Sequence, residues 1–202
     1  MKNKIILDLC GGTGAWSRPY KETGYDVRLI TLPCYDITRV LYEDVYGILA
    51  APPCTEFSIA KGNALRDFEG AMVIVRACLN IIWECRMHGN LKFWALENPR
   101  GFLRQFLGIP NFTFEQWEYG GNKRKATDIW GYFKHPIPIV KEFPTELVKN
   151  DGRGRAHAAD WTLCDYPPEY AEYINQFKGD EKRAACRAIT PPGFAEAFFK
   201  AN

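Results

Sequence analysis

The stretch that decides the fold is Tyr46-Gly47-Ile48-Leu49-Ala50, followed at once by Ala51-Pro52-Pro53-Cys54. The first five residues form a short apolar run, which is typical of a buried parallel β-strand. The two prolines end such a strand, because proline fixes φ and has no N–H to donate to the sheet. Cys54 is therefore predicted just beyond the carboxyl end of a strand, the edge at which open α/β sheets bind ligands.

The composition is that of a globular protein, with 202 residues, 47% of them hydrophobic and 25% charged. This length favours one domain over residues 1–202. Its 26 Lys and Arg residues against 24 Asp and Glu residues leave a net charge of only +2. No overall basic field indicates nucleic-acid binding, so such binding would need a local basic patch.

The seven cysteines are scattered and include no CxxC pair, so the sequence predicts neither a structural zinc site nor any other metal site. The N-terminus enters a strand directly, without the pattern of a signal peptide, and no apolar run is long enough to span a bilayer. We therefore expect a reduced, cytoplasmic protein.

A glycine-rich turn follows the first predicted strand, which spans residues 4–9. The turn reads Cys10-Gly11-Gly12-Thr13-Gly14-Ala15-Trp16-Ser17 and leads into a short helix. Its spacing is not GxGxxG, and no Gly-Lys-Ser/Thr ends it, which disfavours a dinucleotide and a triphosphate loop. Asp8 adds a carboxylate that could receive an ammonium group. Glycine turn and acid together fit S-adenosylmethionine, whose amino-acid end is a zwitterion.

The rest of the chain predicts an α/β fold. A long helix is indicated over residues 67–88, where apolar residues recur at helical spacing and Gly89 follows. Further strands are predicted at 26–32, 91–96, 112–119 and 128–133, and a last helix opens at Pro191-Pro192. We expect six or seven mostly parallel strands with helices on both faces, an antiparallel last pair, and the C-terminal helix beside the first strand.

Five segments follow one another in an order that carries a family resemblance. They are DLCGGTG at 8–14, PPCTEFS at 52–58, Glu97-Asn98, the basic turn 123–125, and Pro191-Pro192 with Ala195. This order resembles that of the cytosine-C5 DNA methyltransferases, over residues 4–133 and again over 187–201. The resemblance implies a Rossmann-like, S-adenosylmethionine-dependent methyltransferase fold and the activity of a DNA (cytosine-5-)-methyltransferase.

The same resemblance implies catalytic roles for three residues. Cys54 would be the nucleophile that adds to C6 of cytosine, and Glu97 would supply a proton or hydrogen bond at N3. Both are needed, because cytosine accepts a nucleophile poorly unless its ring charge is neutralised. Arg124 falls on the arginine position that supports the base, although the second arginine of that turn is absent.

For the cofactor, S-adenosyl-L-methionine, the resemblance implies a site formed by Asp8, Gly11, Gly12, Gly14, Ala15, Trp16 and Pro52. Asp36 matches the family's acid for the adenine amino group. The tip of the second strand carries no acid where a ribose contact is expected, so that contact stays unassigned.

Residues 134–186 are too few for a conventional target-recognition domain, and we expect only a reduced variable region before residues 187–202 return to the catalytic core. Such a compact member is similar to phage-encoded relatives. Recognition is then minimal, with phosphate contacts from Lys61, Arg66, Arg153 and Arg155, or the DNA is single-stranded rather than a duplex whose base must be flipped out. RNA, a free cytidine nucleotide, an unrelated S-adenosylmethionine enzyme and a silent DNA-binding paralogue remain alternatives.

Overall fold

The computed structural model describes residues 4–30, 45–121, 125–145, 149–150, 156–157 and 166–202. A six-stranded sheet of order β2-β1-β3-β4-β6-β5 lies at its centre. Its strands are β1 (Ile5–Leu9), β2 (Asp26–Ile30), β3 (Val45–Ala50), β4 (Phe93–Pro99), β5 (Phe112–Glu115) and β6 (Ala126–Tyr132). A separate two-stranded ladder pairs β7 (Lys149–Asn150) with β8 (Ala156–His157).

Six α-helices occur in the described parts of the chain. They are α1 (Arg18–Glu22), α2 (Phe68–His88), α3 (Arg104–Leu107), α4 (Ala171–Ile174), α5 (Gly179–Ala188) and α6 (Pro192–Ala201). The predicted long helix is confirmed as α2, which begins after Asp67, whose side chain accepts a hydrogen bond from the Gly70 amide, and ends at Gly89.

Strand direction agrees with the predicted class. β1 pairs in parallel with both β2 and β3, and β3 pairs in parallel with β4, whereas β6 runs antiparallel to β4 and β5. The chain therefore has an α/β fold with a mostly parallel sheet flanked by helices, an arrangement compatible with a Rossmann-like fold. The antiparallel last pair is confirmed.

Alternation along the strands sends buried side chains to two faces of the sheet. On one face, α2 packs against residues such as Leu7, Ile48 and Leu96. On the other, α6 packs Phe194 and Phe198 into a mainly aromatic cluster that contains Ile6, Trp16 and Tyr20. The C-terminal helix thus returns beside the first strand, as expected.

Four expectations are wrong in detail. The strand predicted over 112–119 ends at Glu115 and is followed by a 3-10 helix at Gln116–Tyr119, and the strand predicted from 128 begins at Ala126. The fourth strand does not stop before Glu97, since Glu97 and Asn98 pair with Ile129 and Asp128 on β6 and continue β4 to Pro99. The region 134–186 is not entirely irregular, because it contains α4 and most of α5. A four-residue helix and a helix with little apolar content carry too weak a periodicity to be read from the sequence.

In the described part of the chain, no helix combines the length and apolar content that a membrane crossing requires. Cys10, Cys54, Cys78 and Cys85 carry free thiols. Cys186, by contrast, is in a disulfide, which the expectation of a reduced protein did not include.

Candidate active site

Three of the predicted site segments meet at one edge of the sheet. Because β1, β3 and β4 are parallel neighbours, their carboxyl ends lie side by side. The glycine turn follows β1, the Cys54 turn follows β3, and Glu97 lies near the end of β4. The strand order reverses between β1 and β3, so this edge is also the topological switch point at which such sheets bind ligands.

A cavity of about 600 Å³ opens at this edge, a size within the usual range for small-molecule sites. The glycine turn lines it with Gly11 and Gly12, and the Cys54 turn lines it with Pro52 and Cys54. Glu97 lines the same cavity. The predicted nucleophile and the predicted acid therefore face one shared space.

Left-handed backbone shapes the glycine turn. Gly12 and Gly14 have φ of 56° and 69°, and Cys10 has φ of 59° although it carries a side chain. A non-glycine residue in this region costs about 1 to 2 kcal/mol. Local strain of this kind recurs at ligand sites, and Cys10 also lines the cavity.

Asp8 is fully buried beneath the turn. One carboxylate oxygen accepts a hydrogen bond of 2.5 Å from the Ser17 hydroxyl, and the other has no partner among the described residues. Burial raises the pKa of the Asp8 carboxyl to about 6, although the Ser17 hydrogen bond opposes the shift. Asp8 borders the cavity, and this buried oxygen would be satisfied by a ligand that reaches it with a donor or a positive charge.

The position of Cys54 is held by its neighbours on both sides. Its carbonyl oxygen accepts hydrogen bonds from the Phe57 and Ser58 amides. The carbonyl of Pro52 accepts one of 2.9 Å from the buried Asn98 side chain, which ties the turn to β4. Because Asn98 is next to Glu97 on β4, its side chain holds the Cys54 turn close to the strand that carries Glu97.

The Cys54 thiol is partly buried, and burial raises its pKa. The positive charges of Lys125 and Arg187 lower this pKa, while the negative charge of Glu97 raises it. The nearby cations therefore favour the reactive thiolate against the cost of burial.

Burial also raises the pKa of the Glu97 carboxyl, with Lys125 opposing the shift and Asp128 adding to it. Asp128 is fully buried and is held by two hydrogen bonds of 2.6 Å from the Arg104 guanidinium. A carboxyl group with a raised pKa is more readily protonated near neutral pH and is suited to donate a proton to a ligand.

Lys125 is a site residue to which the sequence assigned no role beyond membership of the basic turn 123–125. It directly precedes β6, and because β6 runs antiparallel to β4, this end of β6 lies at the same edge as Glu97. Its ammonium donates a hydrogen bond of 2.9 Å to the Arg187 carbonyl and lines the cavity. The reversed strand direction was the missing information.

Residues 166–190, which we call the helical wall, pack against the glycine turn and line part of the cavity. Tyr173, Phe177 and Glu181 line it, together with small residues of α5. None of these residues was predicted from the sequence, because they lie in the region interpreted as variable. An aromatic pair four residues apart, followed by Glu181, was the only local signal.

The other predicted site residues fall into three groups: some line the cavity, some do not, and some lie outside the described residues. Asp8 and Trp16 line the cavity, whereas Gly14 and Ala15 are not among its lining residues. Ala15 instead packs in a small cluster with Tyr170 and Ile174 of the helical wall. Asp36 and Arg124 lie outside the described residues, so their predicted roles stay predictions.

The two described residues predicted to contact phosphate are already engaged within the protein. The Lys61 ammonium pairs with the Glu56 carboxylate, at 2.5 Å. The Arg66 guanidinium donates to the backbone carbonyls of Glu56, Ser58 and Gly62. Both side chains therefore stabilise the 56–66 loop, while Arg153 and Arg155 lie outside the described residues.

A scan of the chain against models of known protein families finds no match, and a search of curated proteins finds no significant relative.

Proposed function

We propose that this protein is an S-adenosylmethionine-dependent methyltransferase that modifies C5 of cytosine in DNA through a covalent bond from Cys54. One observation carries the proposal: Cys54, Glu97 and the glycine turn line a single cavity at the switch point of the sheet. The ordered motifs of the sequence agree with it. The class of protein is thus proposed as a transferase, and its substrate as a pyrimidine base.

The cavity has features that fit the cofactor. Gly11 and Gly12 expose backbone to it, and the unpartnered Asp8 oxygen is an acceptor for an ammonium group. Trp16 and Pro52 add apolar surface. S-adenosylmethionine, when bound, supplies an electrophilic methyl group to the reaction.

Cys54 and Glu97 act on the base. The Cys54 thiolate forms a bond to C6, and the electron pair of the C5–C6 double bond moves into the ring while Glu97 donates a proton or hydrogen bond at N3. C5 thereby becomes nucleophilic and takes the methyl group, which leaves S-adenosylhomocysteine. Water accepts the C5 proton, the electron pair of that C–H bond restores the C5–C6 double bond as the thiolate leaves C6, and N3 returns any proton it received to Glu97.

Lys125 supports both residues electrostatically. Its charge favours the Cys54 thiolate, and it also stabilises the Glu97 carboxylate that remains once Glu97 has given up a proton, although it opposes the rise in the Glu97 pKa beforehand. The hydrogen bond to the Arg187 carbonyl holds the ammonium at the cavity. We assign it to charge stabilisation, the part of the reaction in which fixed charges in a water-poor site have their largest effect.

The test is methyl transfer from labelled S-adenosylmethionine to four substrates: duplex DNA, single-stranded DNA, RNA and cytidine nucleotides. Mass spectrometry of the digested products measures 5-methylcytosine. We expect Cys54→Ala to lower transfer by about 1,000-fold or more. Cys85→Ala, which removes a buried thiol on α2, is the matched control and should retain activity.

DNA that contains 5-fluorocytosine gives a second measurement. Fluorine at C5 cannot leave as a proton, so the bond from Cys54 to C6 persists and can be located by peptide mapping. Undiminished transfer by Cys54→Ala would exclude the covalent mechanism. Methylation of RNA or nucleotides alone would keep the chemistry and replace DNA as the substrate.

A further inference from the structure

The helical wall brings two aromatic rings against the glycine turn. Tyr173 and Phe177 are four residues apart and in edge contact, with ring centroids separated by 5.2 Å, and both line the cavity. The Tyr173 hydroxyl lies over Gly12, where a Cβ atom would be only 3.2 Å from it. The wall and the glycine turn therefore meet at Tyr173 and Gly12, and both border the same cavity.

The face of α5 that lines the cavity carries small side chains and one acidic residue. Glu181, Ala184, Ala185 and Ala188 follow helical spacing and all line the cavity. The Glu181 carboxylate is exposed and has no hydrogen bond or ion pair within the described parts of the chain. A free acceptor group thus borders an apolar slot.

The neighbouring strand does not provide that acceptor. Among the described residues, the only carboxylate of β2 is Asp26, which begins the strand and pairs with Arg28. The strand ends in Leu29-Ile30, beside the end of β1. At this edge of the sheet, the described part of β2 therefore has no carboxylate that could accept hydrogen bonds from the hydroxyl groups of a ligand.

We propose that the helical wall binds the nucleoside half of S-adenosylmethionine. Tyr173 and Phe177 contact the purine ring, and Glu181 accepts hydrogen bonds from the ribose hydroxyls. A carboxylate has two acceptor oxygens and so matches a vicinal diol, and aromatic side chains bind the flat faces of bases. The unpartnered Asp8 oxygen remains for the amino group of the same ligand. This inference rests on the proposed function.

Calorimetric titration with two ligands tests the ribose contact. The ligands are S-adenosylhomocysteine and its 2′-deoxy counterpart. We expect Glu181→Gln to weaken binding of the first by about tenfold, as for the loss of a charged hydrogen bond, and to weaken binding of the second by clearly less, because that ligand has only one of the two hydroxyls. Glu172→Gln on α4, which is exposed and does not line the cavity, is the matched control and should bind as the unaltered protein does.

Phe177 tests the ring contact separately. Phe177→Ala should lower the affinity for S-adenosylhomocysteine about tenfold. Phe177→Tyr, which keeps the ring, should retain most of the affinity of the unaltered protein. Thermal unfolding of each variant checks that the fold is retained. The wall assignment is overturned if Glu181→Gln binds both ligands normally, if it weakens both equally, or if Phe177→Tyr loses as much affinity as Phe177→Ala.

Further outcomes separate this inference from the function on which it rests. If the unaltered protein binds S-adenosylhomocysteine and the variants do too, only the wall assignment fails. If the variants lose affinity for a cytosine oligonucleotide and keep it for S-adenosylhomocysteine, the wall serves the target base, and the assignment also fails. If the unaltered protein binds no adenosyl compound, both proposals fail together.

Discussion

The two sides of the cavity are built differently. On the sheet-edge side, buried contacts hold the residues: Ser17 donates to Asp8, and Asn98 donates to Pro52. On the helical wall, most polar contacts are exposed, such as the pair of Arg18 with Glu169 that joins the wall to α1. The first side is suited to fix reacting groups, and the second to fit a ligand.

This difference is one of energy. Breaking a buried hydrogen bond leaves an unsatisfied group and costs about 1 to 3 kcal/mol, whereas an exposed ion pair contributes about 1 kcal/mol or less. Substitutions at the sheet edge should therefore lower the free energy of unfolding, and those on the wall should alter binding more than stability. Three changes at the sheet edge test its half of the contrast, and the binding variants of Glu181 and Phe177 test the wall.

Gly11→Ala should have the largest effect. A Cβ at Gly11 would lie 2.2 Å from the Asp8 carboxylate, which is buried and held by Ser17. Overpacking together with the displaced hydrogen bond should cost about 3 to 5 kcal/mol, measured by urea unfolding. Gly24→Ala is the control, because its left-handed φ of 91° is strained but no atom lies within 4 Å. A loss no larger than that of the control would contradict the close approach.

Asp8→Asn should change how stability depends on pH. The folded-state pKa of Asp8, about 6, exceeds the ordinary value of 3.8, so its carboxyl favours the folded state below pH 4 and loses this advantage as the pH rises through 6. Between pH 4 and pH 7, the unaltered protein should lose about 2 kcal/mol of unfolding free energy relative to Asp8→Asn. Urea unfolding at both pH values measures this, and parallel changes in the two proteins would refute it.

Lys125→Met should have the smallest effect on stability and a specific effect on reactivity. Lys125 joins the two sides through the Arg187 carbonyl, and loss of that bond should cost about 1 kcal/mol. Removing its charge raises the pKa of the Cys54 thiol further. Alkylation of Cys54 by iodoacetamide should then be several-fold slower at pH 8, with its pH profile moved upward.

Mass spectrometry of the Cys54 peptide follows this reaction. Lys92→Met is the control, since Lys92 is exposed and away from the cavity. If both variants are alkylated at the rate of the unaltered protein, Lys125 does not act on the thiol.

The sequence predicted the fold well where local patterns are strong. Five buried residues in β1, an apolar run in β3 and helical spacing over α2 each determine an element within one short window. Proline and glycine predicted the turns at Pro52 and Gly11, because each residue type restricts or frees its own backbone. These windows were enough to predict Cys54 and the glycine turn as site residues.

Residues whose position depends on distant pairing were not found this way. Lys125 reaches the site only because β6 is antiparallel to β4. Tyr173 and Glu181 reach it only because the helical wall packs across a turn that lies about 160 residues earlier in the chain. No periodicity in one window carries such information.

By itself, therefore, the sequence determined the elements and the residue types at their ends, since backbone geometry and side-chain polarity act between near neighbours. Only the tertiary structure decided which of these ends share a cavity, because strand order and direction arise from burying both faces of the sheet at once. The arrangement of Cys54, Glu97 and Lys125 around one space is a product of that packing.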